Sequence, residues 1–222
     1  MNRARPADEC TAEAVGLAAV GLGFRLPDSC AAGLAAYLVL LMKWNRVMNL
    51  VGPGDWRTVF ETLIIDSLHL ARFLEALPLP EKALTLDLGA GAGLPGVALR
   101  MLWRRGEYVM VESREKRALF LRAVLAAVPL PGVSVFHGRA EDCLGRAAPP
   151  DLVVSRAFLP WPRVLSLVAG AVAAQGHCVF LTLEPLPRTL PGGWFAAREE
   201  SYTVRGDTRF FWLIQKISVS QG

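Results

Sequence analysis

Apolar positions over roughly the first eighty residues recur at three- and four-residue spacings, whereas beyond them they gather into short unbroken runs separated by amphipathic stretches. The first pattern predicts helices and the second a mainly parallel sheet, because strands covered on both faces read as continuous apolar runs. Asp28 or Ser29 can cap a long helix through Tyr37, Leu40, Leu41 and Trp44. Gly52-Pro53-Gly54 ends it, and Asp55 can cap a second helix from about Trp56 to Leu77, which stops at Pro78 and Pro80.

Strands are then predicted at about Leu84 to Leu88, Tyr108 to Glu112, Ser134 to His137, Asp151 to Ser155 and His177 to Leu183. Helices fill the gaps at Leu94 to Arg104, with Pro95 in its first turn, at Arg114 to Val128 and at Trp161 to Ala174. Ala197 to Val204 and Arg209 to Lys216 read as a hairpin around Arg205-Gly206-Asp207-Thr208. An α/β sheet of the Rossmann-like kind, closed by an antiparallel C-terminal hairpin, is the layout of class I S-adenosylmethionine-dependent methyltransferases; dehydrogenase domains continue instead into another βαβ half. The expected division is an N-terminal helical appendage over residues 1–80 and a methyltransferase domain over 81–222.

The strand ending at Leu88 runs into Asp87-Leu88-Gly89-Ala90-Gly91-Ala92-Gly93-Leu94-Pro95-Gly96, a glycine-rich turn led by an acid. Gly89, Gly91 and Gly93 can take positive φ and let backbone approach a ligand closely. Gly91-x-Gly93-x-x-Gly96 also satisfies the dinucleotide fingerprint, but the acid at Asp87 favours S-adenosylmethionine. Glu112 ends the next strand, nineteen residues past Gly93, where a carboxylate can accept two ribose hydroxyls; it could equally cap the helix that follows. Gly138-Arg139-Ala140-Glu141-Asp142 follows the third strand, where adenine would pass, although the stretch alone reads as an ordinary polar loop. Ser155-Arg156-Ala157-Phe158 follows the fourth, and an arginine at that strand end is expensive without a partner. His69, His137 and His177 are scattered, so no metal site is expected, and neither a nucleophile elbow nor a phosphate-loop lysine is present.

Charge adds a partner class. Net charge is +4, and only Lys43, Lys82, Lys116 and Lys216 among the 24 basic residues are lysines, leaving a surplus of the better bidentate phosphate ligand. Arg100, Arg104 and Arg105, then Arg114, Lys116, Arg117 and Arg122, with Lys43, Arg46 and Arg57, are candidates for an RNA surface in which Trp44, Trp56 and Trp161 stack on bases. Solvated helix faces and core tryptophans are the competing reading. Cys10, Cys30, Cys143 and Cys178 lack pair spacing, and the longest clean apolar run, Cys30 to Met42, is too short to span a bilayer. With acids in the opening stretch Met1 to Glu9, a cytoplasmic, non-membrane protein, acting as a monomer, is expected.

Trp44-Asn45-Arg46-x-x-Asn49-Leu50, Asp66-Ser67-Leu68, the Asp87 to Gly96 loop, Lys116-Arg117-x-x-Phe120-Leu121 and Ser155-Arg156-Ala157-Phe158, in this order, resemble the RsmG (GidB) family. That resemblance implies a bacterial enzyme that methylates guanine N7 in 16S ribosomal RNA of the small subunit, near the decoding centre, using S-adenosylmethionine. It further implies that Gly89 and Leu94 contact the cofactor, that Ala140 and Glu141 flank its adenine, and that Arg156 reaches cofactor or acceptor as the catalytic residue. The chain departs from the family pattern at Val51, at Thr62-Leu63 and at Glu184. The competing expectations are a methyltransferase for a small molecule or protein, an NAD-dependent oxidoreductase, and a non-catalytic RNA-binding module.

Overall fold

The computed structural model describes residues 9–217; the opening stretch read for a targeting signal lies almost wholly outside them. The helical part comprises α1 (Ala12–Gly21), α2 (Asp28–Met48), α3 (Trp56–Val59), a π-helical turn (Phe60–Ile64) and α4 (Ile65–Glu75). Pro27, rather than Asp28 or Ser29, occupies the capping position of α2, and Asn49 closes that helix in the left-handed conformation at φ 49°. Asp55 caps α3 as expected, accepting the Thr58 N–H at 2.8 Å. The single helix predicted from Trp56 to Leu77 is instead broken by the π-turn.

β1 (Leu84–Leu88), α5 (Gly96–Leu102), β2 (Glu107–Glu112), α6 (Glu115–Ala127), β3 (Val133–His137), α7 (Ala140–Leu144), β4 (Leu152–Arg156), α8 (Trp161–Val168), β5 (His177–Thr182), β6 (Trp194–Val204) and β7 (Asp207–Lys216) follow. They form one sheet in the order β3-β2-β1-β4-β5-β7-β6, with β7 antiparallel to both neighbours and the first five strands parallel. Several predicted boundaries shift. α5 begins at Gly96, because a residue before proline is driven out of helical backbone, which leaves Pro95 in the capping position, after a cis Leu94–Pro95 peptide, and not inside the first turn. α8 stops at Val168, and Arg139 to Leu144, read as a loop, carries the short α7. The hairpin turn is tighter than predicted: Arg205 and Gly206 take φ of 52° and 93°, the mirror-image turn geometry that matches strand twist.

Side chains alternate between two buried clusters on the sheet's faces. Leu86, Leu88, Val153, Trp212 and Ile214 join α7 and α8 on one face, while Leu152, Val154, Phe211 and Leu213 join α1 to α6 on the other. Burial of the helical part and of the sheet is thus shared in one cluster running from Val15 to Leu213. Arg100, read as part of a basic surface stripe, is buried: its guanidinium donates to the carbonyls of Arg105 at 2.7 Å and Gly106 at 2.9 Å. Arg105 likewise donates to Leu77 at 2.9 Å, tying the loop after α5 to the end of the helical part. Among the described residues no helix is long and apolar enough to cross a membrane.

Candidate active site

The strand order reverses between β1 and β4, and a crevice opens there at the carboxyl ends of the strands, where such sheets take ligands. The glycine loop leaves β1 under tight control. Gly89 and Ala90 donate to the Val111 carbonyl at 2.9 and 3.0 Å, and Gly89, Gly91 and Gly93 all have positive φ. At Gly89 the requirement is also steric, since a Cβ there would stand 2.6 Å from the Phe158 ring. The loop's outer bend rests on α2, whose buried Tyr37 donates its hydroxyl to the Ala92 carbonyl at 2.6 Å.

Asp87 and Glu112 lie beneath this loop. Asp87 is 1% exposed; its carboxylate accepts from the Tyr108 hydroxyl at 3.0 Å and from the Gly96 backbone N–H. Burial pushes its pKa up to about 7, partly offset by those two hydrogen bonds and by Arg156. A Cβ at Gly96 would meet the Asp87 oxygen at 2.6 Å, so only glycine lets the helix start against the acid. Glu112, 4% exposed, accepts from the Gly91 N–H at 2.9 Å with one oxygen and from the Arg114 N–H at 2.8 Å with the other. Both acids therefore hold backbone: Glu112 ties the Gly91 N–H of the loop to the N–H of Arg114, the residue ahead of α6, without capping that helix.

Beside them lies a cavity of about 550 Å³ lined by Gly89, Val111, Ser113, Gly138 to Asp142, Phe158 and Leu159. Of the residues singled out in the sequence, it brings together Gly89, the whole stretch from Gly138 to Asp142, and Phe158. Gly91, Gly93 and Leu94 shape the loop without lining the cavity, and Asp87 and Glu112 are walled off by it. Val111, Ser113 and Leu159 are the walls that motif reading passed over; Ser113 was findable as the residue directly after the strand-ending acid.

Arg156 faces a second cavity, of about 290 Å³, lined with Asp66, Ala157, Leu181 to Leu183, Tyr202 and Arg209. The partner its position demands is Asp66 on α4, bonded at 2.7 Å. Strand parity explains the meeting: Arg156 shares the face of Leu152 and Val154, and Arg209 that of Phe211, both toward the helices that carry Asp66. Arg209 reaches Asp66 at 2.6 Å and Tyr202 donates to it at 2.9 Å. Ala157 follows in left-handed backbone at φ 51°, strain of the kind that collects at functional loops. The segment 156–159 thus passes from one cavity to the other, Arg156 and Ala157 lining the smaller and Phe158 and Leu159 the larger.

Trp56 sits in the core, while Trp44 and Trp161 are partly buried against it. Trp56 is buried, Trp44 packs on Phe120 at 5.6 Å and Trp161 meets Trp212 edge-on at 6.1 Å. At all three family departures contact is made by backbone: the Val51 N–H bonds the Asn45 side chain, the carbonyls of Thr62 and Leu63 accept from Arg209 and Arg156, and the Glu184 carbonyl accepts from the Trp212 indole. Among the described residues no group of three or more His, Cys, Asp or Glu is placed to hold a metal.

Sheet order, the antiparallel seventh strand and a ligand crevice after β1 define a class I methyltransferase. The Escherichia coli protein yhhF superposes with a TM-score of 0.56 at 18% identity, over 72% of this chain and 90% of its own, which shows the shared fold. Residues 31–183 match the family GidB, rRNA small subunit methyltransferase G. The ribosomal RNA small subunit methyltransferase G of Nitratidesulfovibrio vulgaris is 53% identical over 89% of this chain and 90% of its own. That of Oleidesulfovibrio alaskensis is 47% identical over 95% of each chain. The chain belongs to the rRNA small subunit methyltransferase G family, and it is an enzyme of methyl transfer.

Proposed function

We propose that this enzyme transfers a methyl group from S-adenosylmethionine to N7 of a guanosine in 16S ribosomal RNA, within the small subunit, and that it acts in the cytoplasm as a monomer. Family membership supports the reaction, and the observation that carries it to particular residues is the segment 156–159, whose first two residues line the smaller cavity and whose last two line the larger. The larger cavity fits an adenosyl group: backbone alone stands at Gly89, and the exposed Glu141 and Asp142 offer acceptors at the rim. Gly89, Ala140 and Glu141 would hold the cofactor there, with Asp87, Glu112, Gly91, Gly93 and Leu94 fixing the loop's shape. When bound, S-adenosylmethionine supplies an electrophilic methyl on a sulfonium.

Guanine N7 has a free in-plane lone pair, so its methylation needs no proton removed. The groups that face the smaller cavity suit that requirement, since Arg156 and Arg209 are permanent donors and not bases. Arg156 is positioned to donate to guanine O6 or a phosphate and to orient the base, so most of its contribution is proximity and alignment. Purified enzyme incubated with 30S particles and S-adenosylmethionine should leave one 7-methylguanosine in 16S RNA by nuclease mapping and mass spectrometry. Methyl incorporation at another atom, or none into RNA, would refute the proposal. Arg156→Ala should depress that incorporation at least tenfold while preserving the melting temperature within a few degrees, which a calorimetric scan beside the assay decides.

A further inference from the structure

Asp66 is a carboxylate inside the helical part, 3% exposed, on which three side chains from three other elements converge. Its Oδ2 accepts from Arg156 of β4 at 2.7 Å, and its Oδ1 accepts from Arg209 of β7 at 2.6 Å and from Tyr202 of β6 at 2.9 Å. We infer that Asp66 is a positioning residue for methyl transfer, locking Arg156 and Arg209 into one two-pronged grip on the acceptor. The inference rests on the reading of the smaller cavity as the acceptor side.

Charge and exposure support it. Two guanidiniums share one carboxylate, so the cluster keeps a net positive charge. The arginines are still 19% and 15% exposed at a cavity of about 290 Å³, so that charge is presented to a ligand and not buried. Arg209 Nε is without a partner among the described residues, a donor left over in a cluster whose bonds to Asp66 run from 2.6 to 2.9 Å. The carbonyls of the π-turn complete the clamp: Thr62 accepts from Arg209 at 2.6 Å and Leu63 from Arg156 at 3.5 Å. Without the carboxylate, two like charges would face each other, and both side chains would lose the bond that fixes their direction. Buried ion pairs are poor stabilisers compared with apolar packing, so a purely structural role would be a costly solution here. Misplacement of a positioning group by about 1 Å costs on the order of a hundredfold in rate, far more than it costs in affinity.

The test separates turnover from folding. Asp66→Asn should lower kcat on 30S particles by about 30- to 100-fold, with KM changed less than threefold and S-adenosylhomocysteine affinity, by calorimetry, within twofold of wild type. Tyr202→Phe removes one bond and leaves both ion pairs; it should lower kcat by about three- to tenfold in the same pattern and carries the test if the asparagine variant does not fold. A kcat within twofold of wild type in a variant that still binds S-adenosylhomocysteine overturns the inference, as does a loss of activity matched by an equal loss of that affinity. The wild-type rate on 30S particles judges the proposed acceptor. The variant-to-wild-type ratio, on whichever acceptor the wild type methylates, judges Asp66.

Discussion

Gly89 and Asp87 meet opposite demands two residues apart: one must be nothing but backbone, the other must be a buried acid. Gly89→Ala would put a Cβ 2.6 Å from Phe158 at φ 72°, a combination of clash and left-handed strain. It should weaken S-adenosylhomocysteine binding at least tenfold by calorimetry, consistent with strain of about 1–3 kcal/mol at the loop. Asp87 gives a pH dependence with a defined sign. Its pKa rises to about 7 in the folded protein from an ordinary carboxylate value, so the native state holds a proton that the unfolded chain releases. Its contribution to stability therefore falls as pH rises from about 4 to 7 and stays low above that. Asp87→Asn should gain stability relative to wild type across that window, read from denaturant midpoints at pH 5 and pH 8; an identical pH slope in the two proteins would contradict the assignment. The sequence disclosed where these acids stand, at the ends of adjacent strands. It did not disclose that the loop folds over them, because that depends on Tyr108 and on the Gly91 and Arg114 amides supplying partners from other elements.

The strands were readable from their apolar runs, and with them the place of Arg156 at the carboxyl end of one. The π-turn was not. Thr62 and Leu63 look like ordinary helix interior, and their carbonyls find donors in Arg209 and Arg156, 147 and 93 residues away. Local sequence carries no trace of such a distant pairing. Arg100 misled for a related reason: its spacing suits a solvated helix face, but the loop after α5 curls back and presents carbonyls to it. The helical part also has a task that the division at residue 80 obscures. Tyr37 of α2 is the support for the Ala92 carbonyl, so Tyr37→Phe should cost about 1–2 kcal/mol in a denaturation experiment and should loosen the glycine loop. The loosening would appear as faster hydrogen exchange at the loop amides and several-fold weaker S-adenosylhomocysteine binding, whereas intact loop protection would show the tether to be dispensable.

At the scale of the molecule, the surplus of positive charge has a definite place next to the site. Arg114, Lys116 and Arg117, against the single acid Glu115, line a groove of about 340 Å³ with Val47 and Met48, where the end of α2 meets the start of α6. Arg117 stands at the glycine loop, since a Cβ on Gly91 would lie 3.6 Å from its Nη1. A ribosomal substrate should therefore bind with steep salt dependence. Replacing Arg114 and Lys116 together with alanine should reduce the slope of log affinity against log salt by about 2, while affinity for S-adenosylhomocysteine holds. A slope equal to that of wild type would place the RNA elsewhere. The C-terminal hairpin adds an order in time. The last wall of the larger cavity is Leu159, whereas the smaller one waits for Tyr202 and Arg209, and β7, though made after β6, inserts between it and β5. During translation the residues that line the larger cavity are thus made some fifty residues before the smaller cavity gains Arg209, so the two proposed purchases, on the methyl donor and then on the acceptor, are completed in that order.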